Sequence, residues 1–251
     1  MSTNKVILIT GASSGLGAEM AKQFAALGYN LALCARRTER IDELKQEIAR
    51  DYPTVRVEVR ALDVTNYEQV FEVFRAFRDD FGRLDRVIVN AGLGKGASLG
   101  TGKFHANRQT AETNFIGALA QTEAAAEIFR AQKAGHLVMI SSVSAMRGMP
   151  KAITTYAATK AAVAHLAEGL RADLMGTPIK VTVLYPGYIE SEMSARSAKT
   201  PLMTTTEKGV RSMVRAIEKQ VASARVPGWP WGPFGFAIKH LPLSIARKLM
   251  G

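Results

Sequence analysis

The stretch Val6-Ile7-Leu8-Ile9-Thr10-Gly11-Ala12-Ser13-Ser14-Gly15-Leu16-Gly17 reads as a strand, a glycine turn and the opening of a helix. The apolar run 6–9 is bounded by Lys5 and by Thr10-Gly11. From Gly15 onward, apolar side chains recur at Leu16, Met20, Phe24 and Leu27, the spacing of one helix face. Glycines permit a tight turn and let backbone approach a pyrophosphate closely. The helix N-terminus adds free N–H groups and a dipole that favours an anion. The spacing is G-x-x-x-G-x-G, not G-x-G-x-x-G, so its meaning comes from the strand–turn–helix context. Gly11, Ser13, Ser14, Gly15, Leu16 and Gly17 are therefore the first candidates for a dinucleotide seat.

The alternation continues along the chain. A strand over 31–34 precedes an amphipathic helix over 38–50, with Ile41, Leu44 and Ile48 on one face. The segment 55–61 alternates in strand fashion, and Phe71, Phe74 and Phe77 belong to another helix. Strands over 87–90, 137–140 and 179–184 bring the count to six. Strands set between helices predict βαβ units, an α/β fold and a parallel sheet covered on both faces. No repeat, low-complexity tract or polar linker divides the chain, so 1–251 is expected to form a single domain. Two irregular segments follow strands: 93–102, with four glycines, and 187–206, rich in Ser and Thr. Loops at the carboxyl ends of parallel strands bind ligands in such sheets; 187–206 is the expected substrate loop.

Composition narrows the class. Hydrophobic residues make up 47% of the 251 and charged residues 22%, enough for a sizeable core and against disorder. Cys34 is the one cysteine, which excludes an intrachain disulfide framework; inside 31–34 it reads as a small buried hydrophobe. The run 6–9 is too short for a signal-peptide core, and no run approaches the roughly 20 apolar residues of a membrane span. A cytoplasmic protein is expected. The net charge of +11 favours anionic partners, but the basic residues are scattered, so no nucleic acid is expected. Neither is a metal site.

The second strand ends Cys34-Ala35-Arg36-Arg37. An acidic side chain there would accept from a ribose 2′-hydroxyl; none is present. Guanidinium forks match phosphate oxygens, so Arg36 and Arg37 favour a 2′-phosphate, hence NADPH/NADP, over capping the strand as plain surface arginines. Asp63-Val64 follows the third strand, where a carboxylate can meet an adenine amino group. Asn90-Ala91-Gly92 ends the fourth, where small residues admit a cofactor.

Tyr156-Ala-Ala-Thr-Lys160 opens a helical stretch that places both named side chains on one face. A free phenol has a pKa near 10, and a nearby ammonium is expected to lower it, making Tyr156 an acid–base group. Ser141-Ser142 ends the fifth strand, where a hydroxyl can orient a reacting oxygen. Asn114 lies inside a helical stretch, which is locally unfavourable and points to a role beyond propensity, with a helix cap or a solvent-facing side chain as the alternatives.

With these residues in order, the chain resembles the short-chain dehydrogenase/reductase family over roughly 5–192. The glycine turn, Asn90-Ala91-Gly92, Asn114, Ser141-Ser142, Tyr156-x-x-x-Lys160 and Pro186-Gly187 carry the resemblance. It implies a doubly wound Rossmann sheet of seven parallel strands and a catalytic tetrad of Asn114, Ser142, Tyr156 and Lys160. In that tetrad Tyr156 is the general acid in reduction and Ser142 positions the carbonyl. Lys160 lowers the Tyr156 pKa and binds the nicotinamide ribose, and Asn114 helps hold a water that links Lys160 to solvent. Pro186, Gly187, Ile189 and Ser191 belong to the cofactor set, Ile189 bonding the carboxamide through its backbone. The family also implies a homodimer or homotetramer built on the alanine-rich helices around 118–128 and 157–170. Two departures stand out. Ser142 to Tyr156 is one position longer than usual, which puts an extra loop residue near 150–155 and leaves Ser144 as an alternative serine. Position 191 is Ser where the family often has Thr.

The implied activity is NADPH-dependent interconversion of a carbonyl and an alcohol. Leu93, Met149, Tyr188, Met193, Leu202 and Met203 lean the substrate towards an apolar ketone or aldehyde. A non-catalytic NADP(H)-binding regulator and a membrane-associated lipid-metabolism reductase are the alternatives. The apolar and basic tail, 227–251, holds both tryptophans and is broken by Pro242. Packing on its own domain is the plainest reading; a lid, a subunit interface and a peripheral membrane contact are the others.

Overall fold

The computed structural model describes residues 5–192 and 202–250. Its strands are β1 (Val6–Thr10), β2 (Asn30–Ala35), β3 (Val57–Ala61), β4 (Arg86–Val89), β5 (Gly135–Ile140), β6 (Ile179–Pro186) and β7 (Ser223–Val226). They form one parallel sheet in the order β3-β2-β1-β4-β5-β6-β7. The helices are α1 (Gly15–Ala26), α2 (Thr38–Asp51), α3 (Tyr67–Phe81), α4 (Phe104–Ala111), α5 (Gly117–Gln132), α6 (Thr154–Asp173), α7 (Thr206–Glu218), α8 (Gly228–His240) and α9 (Leu243–Met250).

The run 6–9 is continuously apolar because β1 is buried on both faces. Val6 and Leu8 pack with Phe74, Phe77, Ile128 and Val163 from α3, α5 and α6. Ile7 and Ile9 pack with Met20, Phe24, Ile41 and Met213 from α1, α2 and α7. From β1 the chain winds outward to β3, then returns past β1 to β4. That reversal opens a crevice at the carboxyl ends of β1 and β4, where open α/β sheets bind ligands. The alanines of α5 and α6, among them Ala118, Ala124, Ala125, Ala157, Ala164 and Ala167, are buried within this one chain.

The structure refines several expectations. Residues 55 and 56 lie outside β3, because Val55 N–H donates to the Tyr52 carbonyl (2.9 Å) and Arg56 N–H to Asn30 Oδ1 (2.9 Å). β7 has no continuous apolar run, since it sits at the sheet edge with its first three residues partly exposed. Asn114 lies in a π-helical turn, Glu112–Ile116, between α4 and α5; such turns insert an extra residue and re-aim side chains. The loop that follows β6 is pinned at its base by Thr204 N–H to the Tyr188 carbonyl (3.0 Å) and Glu190 N–H to the Thr204 carbonyl (3.0 Å). Met193 and the rest of 193–201 lie outside the described residues. The tail forms α8 and α9, which part around Pro242.

At the opposite, amino end of the sheet, Arg86 is buried and paired on two of its nitrogens. Its Nε donates to His136 Nδ1 (2.9 Å) and its Nη1 pairs with Glu218 (2.6 Å), which also accepts from the Tyr29 hydroxyl (2.8 Å).

Candidate active site

The crevice is one cavity of about 1370 Å³. That exceeds the roughly 300–1,000 Å³ of a typical single-ligand site, leaving room for a dinucleotide and a substrate together. Every catalytic and cofactor candidate named above lines it except Gly17 and Asn114.

The glycine turn is shaped by close approach. Gly11 has φ +66°, and a Cβ there would lie 2.9 Å from Ala91 Cα. Gly17 stays behind the surface because a Cβ on it would meet the Gly11 carbonyl oxygen at 2.3 Å. Only glycine allows β1, the turn and the end of β4 to sit this close. Ser14, at the N-cap of α1, makes no side-chain cap, so the first-turn N–H groups are not claimed by it. Thr10 belongs to this assembly and was missed in the sequence: its Oγ1 accepts from Asn90 N–H (3.0 Å) and Ala91 N–H (3.1 Å). Asn90 Nδ2 returns a bond to the Thr10 carbonyl (2.9 Å). A hydroxyl residue at a strand's carboxyl end, just before the glycine, was the available signal.

At the end of β2, Arg37 Nη2 donates to Ser13 Oγ (3.1 Å) and Ser14 Oγ (2.7 Å). Arg36 is exposed and has no hydrogen-bond partner among the described residues. Glu192, unforeseen in the sequence, pairs with Arg37 (3.0 Å) and Arg40. Those two arginines hold the Glu192 carboxyl below the usual carboxylate range. Asp63 Oδ1 accepts from Thr65 N–H (3.0 Å) and Oγ1 (2.8 Å), which sets the carboxylate at the cavity wall. Ser191 lies against the glycine turn: a Cβ on Gly15 would be 3.3 Å from the Ser191 Cβ.

Across the cavity, α6 brings Tyr156 and Lys160 to the end of β5. Ser142, not Ser144, is the serine whose hydroxyl acts on the Tyr156 phenol. The extra residue between them is absorbed by a short turn, Lys151–Ile153, with Lys151 at φ +62°. Lys160 Nζ donates to the Ile140 carbonyl (2.8 Å) and stands 5.9 Å from the Tyr156 ring centroid. The expected depression of the Tyr156 pKa is not what the structure holds. Burial raises it above the ordinary phenol value; the Ser142 hydroxyl lowers it and Tyr188 raises it further. Burial also pushes the Lys160 ammonium down to about 8. A desolvated ammonium 5.9 Å away does not offset the cost of burying a phenolate.

Asn114 is wholly used inside the protein. Its Oδ1 accepts from Leu93 N–H (2.6 Å), and its Nδ2 donates to the Leu93 carbonyl (2.8 Å) and Thr159 Oγ1 (3.4 Å). Its side chain therefore holds the glycine-rich loop in place.

The far wall comes from the tail. Trp231, Phe234, Gly235 and Ile238 of α8 line the cavity beside Leu93, Met149, Tyr188 and Leu202, while Met203 does not line it. Trp231 is 1% exposed and stacks edge-on against Tyr188 (5.1 Å between centroids) and Phe234 (5.4 Å). Arg147, unsuspected from the sequence, ties α8 down through bonds to the carbonyls of Ile238 (3.2 Å), Lys239 (3.2 Å) and Leu241 (2.5 Å).

Known proteins share this fold. Residues 5–202 match the model of the short chain dehydrogenase family. An uncharacterised oxidoreductase of Mycobacterium tuberculosis is 52% identical over 246 residues, 98% of this chain and 97% of that protein. An alcohol dehydrogenase from Thermococcus sibiricus, solved with 5-hydroxy-NADP, superposes with a TM-score of 0.79 at 26% identity, over 88% of this chain and 95% of that one. A short-chain dehydrogenase/reductase from Burkholderia phymatum, solved with NAD, shares the fold with a TM-score of 0.85 at 22% identity, over 98% and 95%. The chain belongs to the short-chain dehydrogenase/reductase family. Within it, the chain is an oxidoreductase.

Proposed function

We propose that the protein is an NADPH-dependent reductase that converts an apolar ketone or aldehyde to its alcohol. The observation that carries this reading is the convergence of Tyr156, Ser142 and Lys160 at one end of a cavity whose other end is the glycine turn with Arg36 and Arg37. The cradle suits a dinucleotide: glycines where a Cβ would clash, helix N–H groups for a pyrophosphate, and guanidinium donors for a 2′-phosphate.

NADPH, when bound, supplies the hydride. Gly11, Ser13, Ser14, Gly15 and Leu16 hold the pyrophosphate side, with Asp63 and Val64 at the adenine. Asn90, Ala91, Gly92, Pro186, Gly187, Ile189 and Ser191 line the nicotinamide half. Ser142 Oγ donates to the substrate carbonyl oxygen and orients it. Tyr156 Oη delivers a proton to that oxygen as negative charge develops there. The buried phenol is protonated at neutral pH, the form that reduction requires; its raised pKa makes it a weaker acid than a free phenol, so Ser142 and Lys160 must assist the transfer. Lys160, held by the Ile140 carbonyl, keeps a positive charge beside the phenol and the ribose. The apolar wall of Leu93, Met149, Tyr188 and Trp231 selects an apolar substrate.

The test is a binding titration with NADPH and NADH, then NADPH oxidation with a panel of ketones and aldehydes by the wild type and Tyr156→Phe. Tighter NADPH binding, with turnover lost in the variant, supports the reading. Preference for NADH sinks the role of Arg36 and Arg37, and turnover that survives Tyr156→Phe sinks the catalytic assignment.

A further inference from the structure

The tail helix α8 lines the cavity through Trp231, Phe234 and Ile238. Away from the cavity, Phe236 of α8 is 62% exposed and Trp229, at its start, 79%; in α9, Leu243 is 63% and Ile245 47% exposed. Two further exposed apolar residues, Ile153 and Leu202, line the cavity itself. Six of the eleven large apolar side chains exposed among the described residues thus belong to the tail helices or the cavity lining. Scattered exposed apolar residues need no explanation, but such a concentration marks a surface that is covered in use.

Charge identifies the cover. From 219 to 251 the chain carries Lys219, Arg225, Lys239, Arg247 and Lys248, and no Asp or Glu. Lys239 and Arg247 are exposed on the same two helices as Phe236, Leu243 and Ile245, so cations and exposed apolar side chains occur together in the tail. In an isologous contact between two copies, each subunit contributes the same patch. This patch would bring lysine and arginine together with no tail carboxylate to neutralise them. An anionic bilayer accepts both components: aromatic and aliphatic side chains enter the headgroup boundary, and the cations meet lipid phosphates. No described helix is long and apolar enough to cross a membrane, so the contact is peripheral.

We propose that α8 and α9 dock the protein on an anionic phospholipid surface through Trp229, Phe236, Leu243 and Ile245, flanked by Lys239 and Arg247. Because the inner face of α8 is a cavity wall, docking sets the wall of the reaction chamber against the lipid. An apolar carbonyl compound dissolved in the bilayer then enters along α8. This delivery role rests on the reductase reading; the docking itself does not.

Flotation of the full chain with vesicles tests it, without reading turnover. Vesicles of phosphatidylcholine with phosphatidylglycerol are compared with phosphatidylcholine alone. The wild type is expected to float at least tenfold more with the anionic vesicles, and salt is expected to reduce that binding. Trp229→Ser/Phe236→Ser is expected to abolish it, and the exposed pair Lys239→Glu/Arg247→Glu, which does not threaten folding, to weaken it at least tenfold. Far-UV circular dichroism confirms that both variants are folded. Failure of the wild type to float, or flotation unchanged in the charge variant, overturns the proposal. So does absence of flotation together with a dimer that Trp229→Ser/Phe236→Ser converts to a monomer, because the cover is then a second copy. Flotation without NADPH oxidation on any carbonyl leaves docking standing and removes the delivery role.

Discussion

Arg37 reaches across the mouth of the cavity to hold the Glu192 carboxylate at 3.0 Å, while its other guanidinium nitrogen grips Ser14 at 2.7 Å. The same guanidinium is the proposed ligand of the NADPH 2′-phosphate, so the phosphate and Glu192 compete for it. Both partners of the pair are about half exposed, and such pairs contribute at most about 1 kcal/mol. Glu192→Gln is therefore expected to tighten NADPH binding by roughly two- to fivefold and to leave NADH within error. Fluorescence titration with both cofactors measures it. An equal gain for NADH would mean that Glu192 repels dinucleotides in general and does not occupy the phosphate seat.

Lys160 is 6% exposed, and burial lowers its pKa to about 8 from the ordinary 10.5. Between those values the unfolded chain binds the extra proton, so stability rises with pH across roughly 8 to 10.5. Below pH 8 the buried ammonium costs stability, partly offset by its bond to the Ile140 carbonyl. Lys160→Met removes the charge and keeps the shape. It is expected to stabilise the protein at pH 7 by about 1–2 kcal/mol, while turnover is lost. The advantage should shrink above pH 8. Urea melts of both proteins at pH 7 and pH 10 give the comparison; a variant less stable at pH 7 would show that the Ile140 bond outweighs the desolvation.

How far the sequence carried this reading depends on the range of the interaction. Strands such as β1 are legible because burial on both faces demands an unbroken apolar run, and α2 is legible because only one face meets the core. The glycine turn and the Tyr156–Lys160 spacing are local patterns, and the structure sets both on one cavity. β7 left no pattern because an edge strand has little burial to enforce one. Glu192 and Arg147 were invisible for another reason. Their partners lie 155 and 91 to 94 residues away, so only the folded chain joins them. The Tyr156 pKa was misjudged because spacing gives the position of a neighbouring charge but not the desolvation around it.

His136 lies at the amino end of the sheet, 2% exposed, between Arg86 and Thr182. Burial and then the Arg86 charge lower its pKa from 6.5 to about 3. The unfolded chain takes up the proton first, so stability is intact above pH 6.5 and falls as pH drops towards 3. The slope reaches about 1.4 kcal/mol per pH unit. His136→Gln preserves a polar side chain and removes the titration. Thermal melts from pH 7 to pH 4 are expected to converge, with the wild type losing its lead as the acid penalty accumulates. Parallel curves would assign the acid loss to other groups.

Arg147 Nη1 gathers three carbonyls at the end of α8, from Ile238, Lys239 and Leu241. These are the acceptors that a helix C-terminus leaves unsatisfied, at the negative end of its dipole, so a guanidinium there is doubly favourable. Arg147 contacts no proposed reacting atom, and its influence on the chemistry passes through the cavity wall that α8 supplies. Arg147→Met keeps most of the aliphatic stem and deletes the bonds. The loss is expected to be about 1–2 kcal/mol, since Arg147 is only partly buried, and to lower Tm by roughly 2–6 °C. A helix released at one end holds Trp231 and Ile238 less firmly. KM for bulky apolar carbonyl substrates should rise severalfold, while KM for a small aldehyde and kcat for both change little. A fall in kcat with every substrate would show instead that α8 governs the placement of Ser142 and Tyr156, and the bonds from Arg147 would then support the catalytic group itself.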